Sequence, residues 1–148
     1  RGEWLLAAAN ARLQAALEGV TRGSTATTSV EEALRMARDA SVVLPDDPRP
    51  IQSASVALLL LHRGEEAIAL LEPAIESGER PELTINLGRA RGIVGDEAGA
   101  SRAFLRTAWA NPEAIRSLPK AMREPLLARV KELEQDLNAG GLQQPPPL

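Results

Sequence analysis

Apolar residues recur every three or four positions along most of this chain, and glycines and prolines separate the periodic segments. This spacing is typical of amphipathic helices, and no segment alternates apolar and polar residues as a half-buried strand does. Helices are predicted over residues 2–18, 29–43, 50–63, 65–77, 81–94, 97–110, 112–118 and 120–138. Residues 19–28 are polar and are predicted to form a loop. The pattern therefore predicts an all-α protein.

Residues that favour helix ends support these boundaries. Ser29 followed by Glu32 predicts a capping box, and Asn111 followed by Pro112 predicts an N-cap with proline in the first turn. Pro73 lies inside the fourth helix, where a kink or an early end is expected. Residues in the left-handed conformation are predicted after four helices, at Gly64, Gly78, Gly95 and Gly140.

The predicted helix pairs repeat along the chain. Ala33, Ala67 and Ala100 recur at nearly equal intervals. A period of about 34 residues built from paired helices is typical of a solenoid. Residues 81–112 resemble a tetratricopeptide repeat. The motif positions of that family hold Leu87, Gly88, Gly95, Asp96, Ala100, Phe104 and Pro112.

Two further units resemble the same family more loosely. Residues 50–79 keep Ala57, Gly64, Ala67, Leu71 and Ala74, with a turn between the helices that is about two residues shorter. The first unit holds Trp4, Ala7, Ala8, Ala11, Ala33, Ala40 and Pro45. The resemblance implies a right-handed α-solenoid of about three tetratricopeptide-like hairpins over residues 1–138, with a C-terminal capping helix. It also implies that Trp4 lies in the core, and Trp109 is expected against the cap.

The remaining residues, 139–148, contain Pro145, Pro146 and Pro147 and few apolar side chains that could join a core. They are predicted to form a tail that is disordered or adopts the polyproline II conformation.

Residues suited to catalysis or metal binding are scarce. The chain has no cysteine and one histidine, His62, which excludes thiolate sites and histidine pairs. His62 is instead expected to interact with the last carbonyls of its helix. Gly95 is followed by Asp96 and Glu97, whose carboxylates would repel a phosphate. No enzymatic activity, metal, cofactor or small-molecule substrate is therefore predicted. A nucleic-acid partner is also not predicted, because the net charge is −3 and no basic block is present.

The resemblance implies that the first helix of each pair lines a concave groove for a protein or peptide. The predicted partner-binding residues are Ile51, Ser55, Leu58, His62, Ile85, Asn86 and Arg89. The same alignment adds Leu5, Ala9, Arg12, Ala54, Glu82 and Ile93 to the groove. Asn86 and Arg89 would form a polar corner beside an apolar region. The alternative is that neighbouring loops, including residues 19–28, bury Ile51 and Leu58.

Two functions follow from the resemblance. The first is a scaffold that binds a protein or peptide. The second is an assembly or oligomerisation module of a larger bacterial envelope or secretion protein, which would form a homo-oligomer. The chain starts at Arg1 rather than Met, so a fragment is expected, with membrane association only through a part outside it. The envelope is favoured over the cytoplasm.

Overall fold

The computed structural model of the protein describes residues 1–19, 23–141 and 144–148. These residues form the α-helices α1 (Gly2–Leu17), α2 (Gly23–Val43), α3 (Arg49–Leu60), α4 (Gly64–Ser77), α5 (Pro81–Ile93), α6 (Glu97–Ala110) and α7 (Lys120–Asn138), with a 3₁₀ turn at Pro112–Ile115. The described ranges contain no strand. The predicted all-α class is confirmed.

Helices that follow one another in the chain pack against each other from α1 to α6. In addition, α1 contacts α3, and α3 contacts α5, so the first helices of the three hairpins are neighbours. A main apolar core extends from α1 to α6 and includes Leu6, Leu34, Leu58, Leu71 and Leu87. A second core joins α6 to the 3₁₀ turn and α7 through Phe104, Ile115 and Val130. The helix α7 therefore packs beside α6.

The start of α2 differs from the prediction. Residues 23–28 are helical rather than part of a loop, whereas residues 20–22 of that predicted loop lie outside the described residues. Ser29 lies within the helix, so it does not cap it. Thr27 donates its hydroxyl hydrogen to the carbonyl of Gly23, and α2 packs against α1. Tertiary packing outweighs the weak helix propensity of this threonine-rich segment.

The turn after α3 closes on a histidine in the left-handed conformation. His62 has φ 56°, and its backbone N–H donates to the carbonyl of Leu59 over 3.0 Å. The N–H of Arg63 donates to the carbonyl of Leu58 over 2.9 Å. This is a Schellman motif, which satisfies carbonyls at the end of a helix. The expected contact of His62 with the last carbonyls is therefore made by its backbone.

The turn after α5 has the same geometry with glycine at the closing position. Gly95 has φ 84° and donates to Gly92, while Asp96 donates to Arg91. Gly95 follows His62 by the same distance in sequence that separates Ala67 from Ala100, which we call the repeat interval. The ends of α3 and α5, and both bounds of α4 and α6, keep this interval. The turns of the second and third hairpins are thus equal in length, and the predicted difference between them is wrong.

The start of the second hairpin moves accordingly. Pro48 precedes Pro81 by the repeat interval, and α3 begins at Arg49, directly after its N-cap Pro48, rather than at Pro50.

The four predicted left-handed glycines divide into two pairs. Gly95 and Gly140 have positive φ, as predicted. Gly64 instead begins α4, and Gly78 is extended with φ −175°, so those two predictions are wrong. Gly64 is small because the next hairpin lies close to it. A Cβ at Gly64 would be 2.9 Å from side-chain atoms of both Ile93 and Val94.

Two prolines lie inside helices without ending them. The helix α4 continues through Pro73 to Ser77, so the helix does not end early there. Pro73 and Ala69, whose carbonyl loses its donor, are both exposed, and water can satisfy that carbonyl. Pro125 is likewise exposed within α7.

The two tryptophans behave differently. Trp109 is half-buried and packs against the second core, together with Leu126 of α7, as predicted. Trp4 is 66% exposed, so its predicted place in the core is wrong. The buried side chains of α1 are Leu5, Leu6, Ala9 and Leu13. Trp4 lies off that stripe.

The helices α5 and α6 approach closely at Gly88, which is buried. A Cβ at Gly88 would lie 2.5 Å from Cε1 of Phe104, whereas a Cβ at Gly92 of the same helix would meet no atom within 4 Å. The predicted close helix crossing is thus present, with the ring of Phe104 as the group against Gly88.

We expect the same substitution at these two glycines to have opposite effects. Gly88→Ala should lower the free energy of unfolding by about 1–3 kcal/mol, because the methyl group overpacks the contact with Phe104. Gly92→Ala should raise it by about 0.5–1 kcal/mol, because alanine is the better helix former. Urea denaturation of both variants measures the difference. Equal effects would show that the α5–α6 crossing does not depend on Gly88.

Candidate functional site

The seven predicted partner-binding residues do not share one open surface. Four of them are buried: Ser55, Leu58, Ile85 and Asn86. Arg89 and Ile51 are half-buried, and His62 is exposed. Three of the additional groove residues, Leu5, Ala9 and Ala54, are buried as well. The predicted groove is closed at these positions, because the first helices pack directly on one another.

Polar side chains join the first helices to each other. Ser53 of α3 and Asn10 of α1 are linked by a hydrogen bond of 2.6 Å between Oγ and Oδ1. Asn86 of α5 donates through Nδ2 to Oγ of Ser55 over 3.0 Å. Asn86 follows Ser53 by the repeat interval, so residues at equivalent positions bind the preceding first helix in both cases. We call these contacts the polar ladder.

Arg89 continues the polar ladder toward the cap. Its guanidinium donates to Oδ1 of Asn86 over 3.1 Å and to Oγ of Ser117 over 2.8 Å. Burial lowers the pKa of Arg89, yet an arginine keeps its charge in proteins. No carboxylate in the described part of the chain pairs with it. The predicted corner of Asn86 and Arg89 therefore exists, with Asn86 as an internal support and Arg89 as a partly accessible cation.

Ile51 lies in a different place. It lines a groove of about 610 Å³ between the turn after α2 and one side of α4, and Pro48, Pro73 and Arg80 line it too. The acidic part of this groove is neutralised internally. Arg49 donates to both carboxylate oxygens of Asp47, and these hydrogen bonds hold the pKa of Asp47 below its usual value. Ile51 and the polar ladder therefore belong to separate surfaces.

An exposed aliphatic row crosses the ends of the three first helices. Leu17, Leu60 and Ile93 are 59%, 37% and 37% exposed. Each follows a residue that hydrogen-bonds to a neighbouring first helix, namely Asn10, Ser53 or Asn86, by seven residues. Seven residues are two helical turns, so each aliphatic residue lies on the same side of its helix as its polar counterpart. Leu60 and Ile93 therefore hold equivalent positions of α3 and α5, one repeat interval apart, and Leu17 lies at the end of α1.

Sequence reasoning finds only part of the aliphatic row. The family alignment places Ile93 in the groove, and the repeat interval identifies Leu60 as its counterpart once the two turns are known to be equal. Leu17 follows no such period, because α2 is longer than α4 and lengthens the distance in sequence between the ends of α1 and α3. Two of the predicted residues remain near the row. Arg89 lies one turn before Ile93, and His62 lies two residues after Leu60.

The described residues show little that could support chemistry at this surface. No group of three histidine, aspartate or glutamate side chains in these ranges lies close enough to hold a metal ion. No helix among them is both long and apolar enough to cross a bilayer. The aliphatic row and Arg89 are suited to binding through burial of apolar surface and through ion pairing.

We expect removal of the Asn86 amide to destabilise the fold. Asn86→Ala should lower the free energy of unfolding by about 1–3 kcal/mol, because Ser55 and Arg89 each lose a buried partner. Gln52→Ala on the half-buried side of α3 is the control, with an expected change below about 0.5 kcal/mol. Chemical denaturation measures both variants. A neutral Asn86→Ala would mean that the polar ladder does not hold α5 against α3.

The chain matches no family model, and neither curated proteins nor solved structures gave a match. Its relation to the tetratricopeptide repeats stays a prediction, and a proposal about its function rests on its own geometry.

Proposed function

We propose that this protein is an interaction module that binds an extended peptide across the first helices α1, α3 and α5. The observation that carries the proposal is the aliphatic row of Leu17, Leu60 and Ile93. Leu60 and Ile93 remain exposed at equivalent positions of neighbouring helices, and Leu17 is exposed at the end of α1. Exposed apolar side chains on neighbouring helices are typical of interaction sites. Burial of these side chains by a ligand would supply the binding energy.

The architecture we propose is a right-handed solenoid of three tetratricopeptide-like hairpins capped by α7. Three features support it: the contacts between successive helices, the contacts of α1 with α3 and of α3 with α5, and the repeat interval that relates His62 to Gly95. A stack of equivalent hairpins repeats each surface position at a fixed interval, which accounts for the similar side chains of Leu60 and Ile93.

The spacing of the aliphatic row suggests the form of its ligand. Packed helices lie about 8–10 Å apart. A peptide in the extended polyproline II conformation completes one turn every three residues and rises about 9 Å per turn, so that every third side chain faces the same side. An extended peptide with an aliphatic residue at every third position would therefore place one anchor on each first helix. Arg89 lies beside the third anchor and lacks a carboxylate among the described residues, so an acidic group of the ligand would pair with it.

Selection from a random peptide library against the whole chain tests this proposal. We expect enriched peptides to carry aliphatic residues at every third position and an acidic residue near one end. Their affinity for the Leu60→Ser/Ile93→Ser variant should fall at least about tenfold, the effect of losing about 1.4 kcal/mol. Isothermal titration calorimetry measures this change. Arg89→Gln should weaken only the peptides that carry the acidic residue.

Leu137→Ser provides the control, because Leu137 is 49% exposed on α7, away from the aliphatic row. It should leave peptide affinity within about twofold, as expected for a surface change outside the site. Equal losses in the control and the double variant would refute the proposal. Enrichment of anchors seven residues apart, which matches a helical ligand, would refute the extended form.

The second candidate is an assembly module, and a specific observation favours it. Trp4 is 66% exposed and Val42 is 80% exposed. Both lie two residues from the contact between Gly2 and Leu44, where the start of α1 meets the end of α2. Exposed tryptophans are frequent anchors of interfaces. This end of the stack also lacks a capping helix within the described residues.

Self-association through Trp4 would change both mass and fluorescence. In a Trp109→Phe background, the emission of Trp4 should shift to shorter wavelength as the protein concentration rises, because an interface excludes water from the ring. Light scattering should show a mass larger than that of the monomer. The Trp4→Ala variant should have the mass of the monomer. A constant monomeric mass with unchanged emission would exclude this second function while leaving the peptide-binding proposal intact.

A further inference from the structure

Arg106 of α6 contacts two different parts of the chain. Its Nε and Nη2 both donate to Oε2 of Glu79, over 3.2 and 3.0 Å. Its Nη1 donates to the carbonyl of Pro146 over 2.8 Å. The carboxylate of Glu79 therefore orients the guanidinium and leaves one donor directed at the proline-rich residues 144–148. We call these residues the proline segment.

A second arginine of α6 meets the same segment. Nε of Arg102 lies 3.4 Å from the carbonyl oxygen of Leu148. Pro146 is buried, and Leu148 is half-buried and packs against the main core. The proline segment therefore lies against α6.

The two arginines match the geometry of a polyproline II chain. Arg102 and Arg106 are four residues apart on one side of α6, which corresponds to a rise of about 6 Å. Pro146 and Leu148 are two residues apart, and polyproline II also rises about 6 Å over two residues. Consecutive prolines favour this conformation, because each ring fixes φ and restricts the residue before it. A polyproline II chain has no internal hydrogen bonds, so its carbonyls can accept hydrogen bonds from arginines.

We propose that Arg102 and Arg106, with Glu79 as the orienting residue, form a docking site for a proline-rich segment in the polyproline II conformation. The occupant of the site is the proline segment of the same chain. The arginines bind alternate backbone carbonyls, and Leu148 supplies the apolar anchor. This site lies on a second helix, so it is separate from the aliphatic row on the first helices and goes beyond the peptide binding proposed there.

The short connection after α7 favours an occupant from the same chain. The helix α7 ends at Asn138, and Gly140 and Gly141 close it with hydrogen bonds to Leu137 and Asp136. Only a few residues then separate this turn from Gln144. A short linker holds its segment at an effective concentration in the millimolar range. Even two hydrogen bonds and one apolar contact can then keep the site occupied.

Paramagnetic relaxation in the full-length chain tests the docking. Because the chain has no cysteine, Ser101→Cys provides a single attachment point for a nitroxide on the exposed part of α6. We expect the label to broaden the amide signals of Gln144 and Leu148 strongly. Arg106→Gln should reduce that broadening by at least about threefold, because the remaining contacts no longer outweigh the entropy of ordering the segment.

Two further variants keep the test decisive. The triple variant Pro145→Gly/Pro146→Gly/Pro147→Gly, called the glycine variant, leaves α6 untouched and should release the segment to a similar extent. Arg129→Gln removes an exposed arginine of α7 that pairs with Glu132, and it should leave the broadening unchanged. Circular dichroism checks that each variant keeps its helices.

Three results would overturn the proposal. The first is an absence of broadening in the nitroxide-labelled Ser101→Cys chain that carries no other substitution. The second is broadening that persists in both the Arg106→Gln variant and the glycine variant. The third comes from a mixture of two chains, one with the nitroxide but no isotope enrichment and one with isotope enrichment but no nitroxide. Full broadening of the amide signals of the enriched chain in this mixture would overturn the proposal. That last result would assign the occupant to a second copy rather than to the same chain.

Discussion

Buried Asn86 determines how α3 and α5 lie against each other, because an amide enclosed between two helices must keep its hydrogen-bond partners. Its Nδ2 has one acceptor, Ser55, and its Oδ1 has Arg89 as a donor. A rotation or a shift of α5 by one residue would break the bond to Ser55, which lies on α3, and leave polar atoms in an apolar interface. The equivalent contact of Ser53 with Asn10 aligns α3 with α1. The relative positions of the three first helices, and hence the aliphatic row, follow from these bonds.

Small residues make this alignment sterically possible. The chain has three aromatic residues, and Phe104 is the one that is buried. Alanine, serine and glycine occupy many helix contacts, so the helices approach closely and leucines fill the remaining space. Gly88 under the ring of Phe104 is the tightest of these contacts on α5. An apolar surface with few large side chains is less able to cover every leucine, which is consistent with Leu17 and Leu60 remaining exposed.

Much of the fold could be predicted from the sequence, because the relevant signals are local. Gly95 and the pair Asn111 and Pro112 mark helix ends through backbone preferences that act within a few residues, and the structure shows both. The start of α2 could not be predicted in this way, since packing on α1 rather than propensity makes the threonine-rich segment helical. His62 shows the same limit, because a left-handed histidine is uncommon and nothing in its local sequence indicates it. The candidate site is harder still. In the second hairpin the start at Pro50 shifts the predicted groove by two residues, onto buried Leu58, and in the third hairpin Ile85 and Asn86 are buried although their positions are not shifted. On a helix, a shift of one or two residues rotates a side chain by about 100–200°, so family motifs can indicate the helices that carry a surface without indicating the residues that form it.

The two proposed surfaces differ in what a ligand must overcome. The aliphatic row is open, so a ligand gains the burial of Leu60 and Ile93 and loses mainly its own freedom of motion. At α6 the arginines already bind carbonyls of the proline segment. A ligand from another molecule must therefore displace a segment held at an effective concentration in the millimolar range. Its apparent association constant equals the intrinsic one multiplied by the fraction of molecules in which the site is free. Displacement would also expose Leu148 and the part of the core that it covers, so occupation of α6 by a partner would cost stability that binding at the aliphatic row does not.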